Sequence, residues 1–286
     1  VIGGEGAKLR EYFARPIPEK FALGFRELDA SLDGGVRAGE STMVGGFSSH
    51  AKSAFAEQVA LYVSTSTPTL YVPLELGADL QRLRMAAKLA RCSLGVMQRT
   101  GCDPITAAEL TSRQLTIYAP KRRTIGEIEK LVARQAHKLV IIDDCRNIDG
   151  VIYSGGRSEA HAIAARITEI AQYYGVHLLA LQQLDAKTFR NGPSEWRFAD
   201  SSVFEQRAYN MLTIFRPYRQ RGAREDVVAE IRIRKNRWGP AGKLHYRWQG
   251  DSMSFWEFSE HELDNLECCA TMKARKREAL KRDGRA

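Results

Sequence analysis

Gly46-Phe47-Ser48-Ser49-His50-Ala51-Lys52-Ser53 follows an apolar stretch at 41–45 and opens a helical pattern at residue 52. Strand, Gly/Ser-rich turn, Lys-Ser and helix in that order form the phosphate-binding layout G-x-x-x-x-G-K-[ST], with Ala51 replacing the second glycine. In this layout backbone N–H groups and the helix N-terminus cradle phosphate oxygens, the lysine neutralises the terminal phosphates, and the hydroxyl ligates Mg²⁺. The expected nucleotide-binding set is therefore Gly46, Ser48, Ser49, His50, Ala51, Lys52 and Ser53, with ATP and Mg²⁺ as ligands. Read alone, the stretch also fits a polar turn ending in a surface lysine. Ala51 sharpens that alternative, because a positive φ at this position would strain alanine by roughly 1–3 kcal/mol.

A second acidic signal lies about 90 residues downstream. Leu139-Val140-Ile141-Ile142-Asp143-Asp144 reads as a buried strand delivering a carboxylate to its C-terminal end, the edge where ligands bind in parallel sheets. Asp143 is the expected partner of Ser53 at the metal. A strand ending in a solvated acid would look the same, and the upstream phosphate loop decides between the two.

Working outward, apolar runs at 41–45, 69–74, 115–118, 138–143 and 177–182 alternate with helical periodicity at 52–64, 78–91, 124–136 and 158–174. Such alternation predicts an α/β fold with a mostly parallel sheet and right-handed crossovers. After residue 205, strands are expected near 210–216, 227–234 and 243–248, joined by polar turns and read as antiparallel strands on one edge. Residues 7–14 have the pattern of a short amphipathic helix, and Pro16 and Pro18 mark a linker. The expected organisation is a linker helix and linker over 1–20, an ATPase domain over 21–260 and a basic tail over 261–286.

At 286 residues, with 44% hydrophobic and 27% charged residues, the chain has the bulk of one large globular domain. No apolar run reaches the roughly 20 residues that span a bilayer. Five cysteines without CxxC or His/Cys metal spacing fit reduced thiols in a cytoplasmic compartment. The chain begins Val1-Ile2-Gly3-Gly4, without an initiator methionine or a signal-peptide pattern, as a piece of a longer protein would. Its net charge of +9 favours a polyanionic partner, although part of the excess sits in the tail.

Further segments form an ordered series: Gly24-Phe25-Arg26-Glu27-Leu28-Asp29, Pro73-Leu74-Glu75-Leu76 with Arg84-Met85, and Leu181-Gln182-Gln183-Leu184. Phe204-Glu205-Gln206, the stretch Ala229–Pro240 and Trp248-Gln249-Gly250 complete it. In this order the segments resemble the helicase domain of the DnaB family. The resemblance implies a RecA-like ATPase core in a homo-hexameric ring that translocates on single-stranded DNA in replication, with a primase or helicase loader as a further partner. It also implies that Glu75 polarises the attacking water, that Gln183 senses the γ-phosphate, and that Arg84 contributes to the nucleotide site. Glu75 is expected to end the strand beside the phosphate-loop strand, close enough to act as a base near the γ-phosphate. Arg237 and Lys235 would reach the neighbouring subunit's nucleotide as the arginine finger and its companion. The chain departs from the family at Ala51, at Asp144 where tyrosine is usual, and in the shortened stretch before Phe204.

In such rings the loops after the Asp143 and Gln183 strands face the DNA channel. They are 146–159 and 185–197, and their cations Arg157, Lys187, Arg190 and Arg197, with Phe189 and Trp196, are the expected DNA contacts. Two other readings stay open at this level. One is a ring or accessory subunit that binds nucleotide without hydrolysing it, with Ala51 marking a disabled site. The other is a recombinase- or clock-type relative, which the Lys235-Asn236-Arg237 and Gly239-Pro240 pattern disfavours.

Overall fold

The computed structural model describes residues 5–14, 18–134, 136–149, 157–192, 196–198, 206–219, 226–259 and Glu262. In chain order the elements are α1 (Glu5–Ala14), β1 (Lys20–Phe21), α2 (Arg26–Ser31), β2 (Val36–Arg37), β3 (Ser41–Gly46), α3 (Lys52–Val63), β4 (Thr69–Pro73), α4 (Ala78–Leu89), α5 (Leu94–Thr100) and α6 (Pro104–Thr111). They continue with β5 (Leu115–Ile117), α7 (Ile125–Arg134), β6 (Leu139–Asp143), α8 (Arg157–Tyr174), β7 (His177–Gln183), β8 (Asn210–Phe215), β9 (Val228–Asn236), β10 (Gly242–Gln249) and β11 (Ser254–Glu257).

Nine strands form one sheet in the order β11-β10-β9-β8-β3-β7-β6-β4-β5. From β8 to β5 every neighbouring pair is parallel, and β9, β10 and β11 continue the sheet antiparallel. The period-2 alternation of a strand sorts its side chains to two faces. Val44, Tyr71, Ile141, Leu181 and Ile214 pack with α2, α3 and the aromatic residues Phe25, Tyr246 and Phe255. Met43, Val72, Ile142, Ala180 and Met211 point the other way and pack against α7 and α8. Helices on both faces of a parallel sheet confirm the α/β expectation.

Three expectations need correction. Residues 210–215 do not open the antiparallel edge: β8 lies parallel to β3, with Val44 opposite Leu212, and the reversal comes one strand later at β9. An apolar run cannot announce its direction, since β8 and β9 alike open on four buried residues. The strand that ends before Glu75 is not beside β3, because β7 and β6 intervene between β3 and β4. Finally, α5, α6 and β11 escaped periodicity because each spans eight residues or fewer. The caps were nevertheless present: Ser93 accepts from the Val96 N–H, and Asp103 accepts from the N–H groups of Ile105 and Thr106 ahead of Pro104.

No helix among the described residues is long and apolar enough to cross a membrane. Helix α1 is present from Glu5, and its Leu9 is 57% exposed. Of the expected basic tail, only Glu262 is among the described residues.

Candidate active site

Parallel strands all end at the same sheet edge, so loops far apart in sequence converge there. Gly46 ends β3 opposite Gln183 of β7 and Ile214 of β8, and Pro73 of β4 lies opposite Asp143 of β6. Between these ends lies a cavity of ≈ 480 Å³, lined by Ser48, Ser49, Ala51, Lys52, Ser53, Glu75, Arg84, Asp143, Asp144, Gln183 and Arg216, with Trp248, Gly250 and Met253 at its margin. Eight of the expected nucleotide and catalytic residues, together with the expected metal ligand Asp143, thus meet at one place.

The turn itself has the conformation the motif needs. Ala51 caps α3 at φ 72° and ψ 24°, and Ser49 is also left-handed at φ 61°. A Cβ on Gly46 would lie 2.6 Å from Lys52 Cγ and 3.1 Å from the Ile214 carbonyl oxygen, so glycine there lets the lysine stem fold back along the loop. Desolvation by burial lowers the Lys52 pKa, and Asp144, Asp143 and Glu75 oppose the shift.

Ser53 Oγ donates to Asp143 Oδ1 at 3.1 Å, and the buried Tyr71 hydroxyl donates to Asp143 Oδ2 at 2.7 Å. Burial pushes the Asp143 carboxyl up to about 6, partly offset by those two hydrogen bonds. A hydroxyl and a carboxylate held together beside a phosphate loop fit Mg²⁺, a hard cation that keeps most of its water and takes one or two protein oxygens. The peptide between Asp143 and Asp144 is cis. Asp144, the departure from the family's tyrosine, reaches within 4.0 Å of Lys52 Nζ and accepts from the Arg146 N–H at 2.9 Å. It serves as a counter-ion to the lysine.

Gln183 is held by Arg146, whose Nη1 donates to Oε1 at 2.6 Å. Since a guanidinium cannot accept, the amide oxygen must face Arg146, leaving the amide N–H groups for an anionic acceptor. Arg84 lines the cavity, but its Nε is bonded at 2.6 Å to Glu57, a carboxylate fully buried in α3. Gln81 Nε2 donates to the same oxygen at 2.9 Å, and Lys88 Nζ lies 3.7 Å from the other.

Some expected residues lie elsewhere. His50 is buried against Phe215, ring centroids 5.0 Å apart and nearly parallel, and opens on a neighbouring cavity instead. Burial and the nearby cations lower its pKa to about 4, so the ring is neutral, and Nδ1 accepts from the Arg216 N–H at 3.0 Å. Lys187 and Arg190 line that second cavity with Phe47 and Arg219. Phe189 and Trp196 are not exposed stacking platforms: both pack edge-on against Phe47, and Trp196 is 2% exposed. Arg197 is exposed, and its Nη1 donates to the Trp196 carbonyl at 3.2 Å. Arg157 opens α8, while its side chain, residues 150–156, Phe204 and Glu205 lie outside the described residues.

Lys235 and Arg237 are at the opposite edge of the sheet. Asn236 is paired with Asn210, which is paired with Thr42 near the start of β3, whereas the phosphate loop follows its end. Lys235 Nζ donates to the Gln206 carbonyl at 2.9 Å, and the exposed Arg237 guanidinium lies 5.0 Å from the Tyr209 ring centroid.

Sequence reasoning missed Arg216, Tyr71 and Gln81. Arg216 pairs with Asp226 through Nε at 3.2 Å and through Nη2, donates to the Ser49 carbonyl at 3.0 Å, and lies 4.6 Å from the Trp248 ring centroid. It therefore fastens the phosphate loop from the end of β8. Only knowing that β8 runs parallel beside β3 could have pointed to it.

Residues 21–257 match the family described as DnaB-like helicase C terminal domain. Among solved structures, the chain is similar to one described as an ATPase domain, with a TM-score of 0.76 at 18% identity over 91% of this chain and 100% of that one. A DnaB-like replicative helicase, solved for its interactions with primase, gives a TM-score of 0.77 at 17% identity over 91% and 69%. The RadB recombinase is more distant in shape, at 0.56 and 18% over 84% and 100%. No curated protein matches the sequence. With the family match spanning most of its length and the cavity assembled from the family's motifs, the chain belongs to the DnaB-like helicase C-terminal domain family.

Proposed function

We propose that this helicase-type domain is an ATP-driven motor that works as a homo-hexameric ring on single-stranded DNA in the cytoplasm. Residues 1–20 serve as a linker that docks on the adjacent subunit, 21–260 as the motor and 261–286 as a basic tail. Ser48, Ser49, Ala51, Lys52 and Ser53 hold the phosphates of ATP, and Gly46 makes room for the loop. Ser53 and Asp143 hold Mg²⁺, which when bound supplies positive charge to the phosphate oxygens. Glu75, exposed at the cavity rim, orients and deprotonates the attacking water. Gln183 donates its amide N–H toward the terminal phosphate. Catalysis of this kind rests on positioning and charge, because phosphoryl transfer develops negative charge on oxygens that fixed donors can meet.

One observation carries the ring reading. Arg237 and the phosphate loop flank opposite ends of β3, and the four steps from Thr42 to Gly46 span about 13 Å at the rise of an extended strand. A guanidinium at Arg237 is thus out of reach of its own nucleotide and available to another subunit's. A finger lent from subunit to subunit requires head-to-tail association, and closure of that association makes it a ring. Lys187, Arg190, Arg197 and Arg157 contact the DNA backbone, and a primase or a loader is the further protein partner.

Subunit mixing tests this reading. Arg237→Ala leaves a nucleotide site intact and spoils the finger, whereas Glu75→Ala does the reverse. Each alone should lose about 10³-fold or more of its ATPase rate, on the scale of arginine fingers. Mixed assemblies contain interfaces that pair a good site with a good finger and should regain activity. Co-assembly without any recovery would exclude action in trans, and normal hydrolysis by Arg237→Ala would exclude the finger. A protein that binds ATP and never hydrolyses it, with or without single-stranded DNA, would instead be an accessory ring subunit.

A further inference from the structure

The turn that presents Arg237 is fastened to its own subunit at several points. Asn236 Nδ2 donates to the Ser31 carbonyl at 2.8 Å, and Asn236 Oδ1 accepts from the Trp238 N–H at 3.0 Å. The backbone packs so closely that a Cβ on Gly239 would lie 2.8 Å from Asn236 Nδ2 and 3.0 Å from the Ser31 carbonyl oxygen. Trp238 itself is held on two sides. Its Nε1–H donates to Glu40 Oε1 at 2.8 Å, and the Arg37 guanidinium lies 3.7 Å from the ring centroid.

Those holders are unusual for a surface tryptophan. Trp238 is 46% exposed, yet Arg37 and Glu40 are each 6% exposed, and Arg37 is paired in turn with Asp33 at 2.5 Å. Arg37 Nη1 and Glu40 Oε2 are buried with no hydrogen-bond partner among the described residues. Burying two charged groups and leaving part of each unsatisfied is costly, so a merely solvated turn gives no reason to keep them there. Both sit on the segment that leads from β2 into β3. By contrast, Arg237 makes a cation–π approach of modest strength to the Tyr209 ring and feels the Glu40 carboxylate only through its charge. The backbone direction of 236–238 therefore decides where the guanidinium points.

We propose that Trp238 is a positioning residue for Arg237: gripped by Arg37 and Glu40, it fixes the angle at which the finger leaves its own subunit. The inference rests on the reading that Arg237 acts in trans. Transition-state charge is met only by a donor held within fractions of an ångström, so a loosened turn should lower turnover and leave ground-state nucleotide binding in place.

The test compares the ATPase kcat and KM of the full chain with those of Arg237→Ala, Trp238→Ala and Trp238→Phe, each with single-stranded DNA. Assembly is checked by light scattering and folding by denaturant titration. Trp238→Ala should lose about 10²-fold in kcat, the scale of a 1 Å misplacement, with KM for ATP within about two-fold. Trp238→Phe keeps a ring over Arg37 without the N–H and should fall between. Mixing Trp238→Ala with Glu75→Ala subunits should restore activity, because only the lent finger is impaired. An active Arg237→Ala overturns the finger reading itself. An inactive Arg237→Ala beside wild-type kcat in both Trp238 variants overturns the positioning role and leaves the finger standing. A KM rise that matches the kcat loss also overturns it, since that marks damage to the nucleotide site. Should Trp238→Ala fail to fold or assemble, Trp238→Phe decides by the same criteria.

Discussion

Ala51 shows how one side chain sets the quality of a phosphate site. At φ 72° its Cβ crowds the following carbonyl oxygen, a conformation that costs an L-residue roughly 1–2 kcal/mol and a glycine nothing. The loop keeps the shape regardless because its neighbours enforce it, with Arg216 on the Ser49 carbonyl and His50 wedged against Phe215. Ala51→Gly should therefore stabilise the folded protein by about 1 kcal/mol in denaturant titration. It should also raise ATP affinity or turnover, since backbone can then approach the phosphates more closely. Unchanged stability and unchanged kinetics together would show that the methyl is accommodated without cost.

At the level of elements, His177 pins β7 to the segment that leads into β3. Its Nδ1 lies 2.9 Å from the Arg37 carbonyl, which can only accept, so Nδ1 carries the proton and Nε2 accepts from the Thr42 hydroxyl at 3.0 Å. Complete burial lowers the pKa to about 4 against an ordinary 6.5. Between those values the unfolded chain binds a proton that the native state refuses, so stability is present above pH 6.5 and drains away as pH falls. From about pH 7 to about pH 5 this one ring should cost about 2 kcal/mol of unfolding free energy. His177→Asn should flatten the pH dependence by that amount, whatever it does to stability at neutral pH; an unaltered slope would mean that the ring titrates normally. Nothing in the sequence marked this histidine. The elements that were legible, such as the runs at 41–45, 138–143 and 177–182, are buried on both faces and carry an apolar centre with polar residues at their ends. The residues that were not legible depend on which strand lies beside which. Arg216 becomes a site residue only through the parallel pairing of β8 with β3, and Trp196 becomes a core residue because Phe47 and Phe215 pack against it.

For the whole molecule, the distribution of charge governs the DNA reading. Lys187 and Arg190 are exposed on the loop after β7, on the same sheet edge as the nucleotide cavity. Contacts of this kind meet phosphates and not bases, so binding to single-stranded DNA should be indifferent to sequence and fall steeply with salt. Reversing both charges, Lys187→Glu with Arg190→Glu, should weaken binding to all sequences alike and reduce the slope of log affinity against log salt by about 1–2. Fluorescence anisotropy over a salt series measures both quantities. A variant that discriminates among sequences, or binds as before, would remove this loop from the channel. The burial of Trp196 leaves the proposed DNA contact to charge, with only the half-buried Phe189 beside Lys187 and Arg190 to offer a ring.

Strand β3 has one further consequence. One end runs into the loop proposed to cradle phosphates, and the other begins one residue after Glu40, which holds the tryptophan beside Arg237. It is hydrogen-bonded along both flanks, to β7 and to β8, as a short stiff rod would be. In the proposed motor, a shift at the phosphate end would arrive at the far end with little loss. Each subunit would feel its own fuel at one tip of the rod and adjust, at the other, the ignition of the subunit next to it. Because the rod has a direction, so would the order of firing around the proposed ring, set by the chain sense of a single six-residue strand.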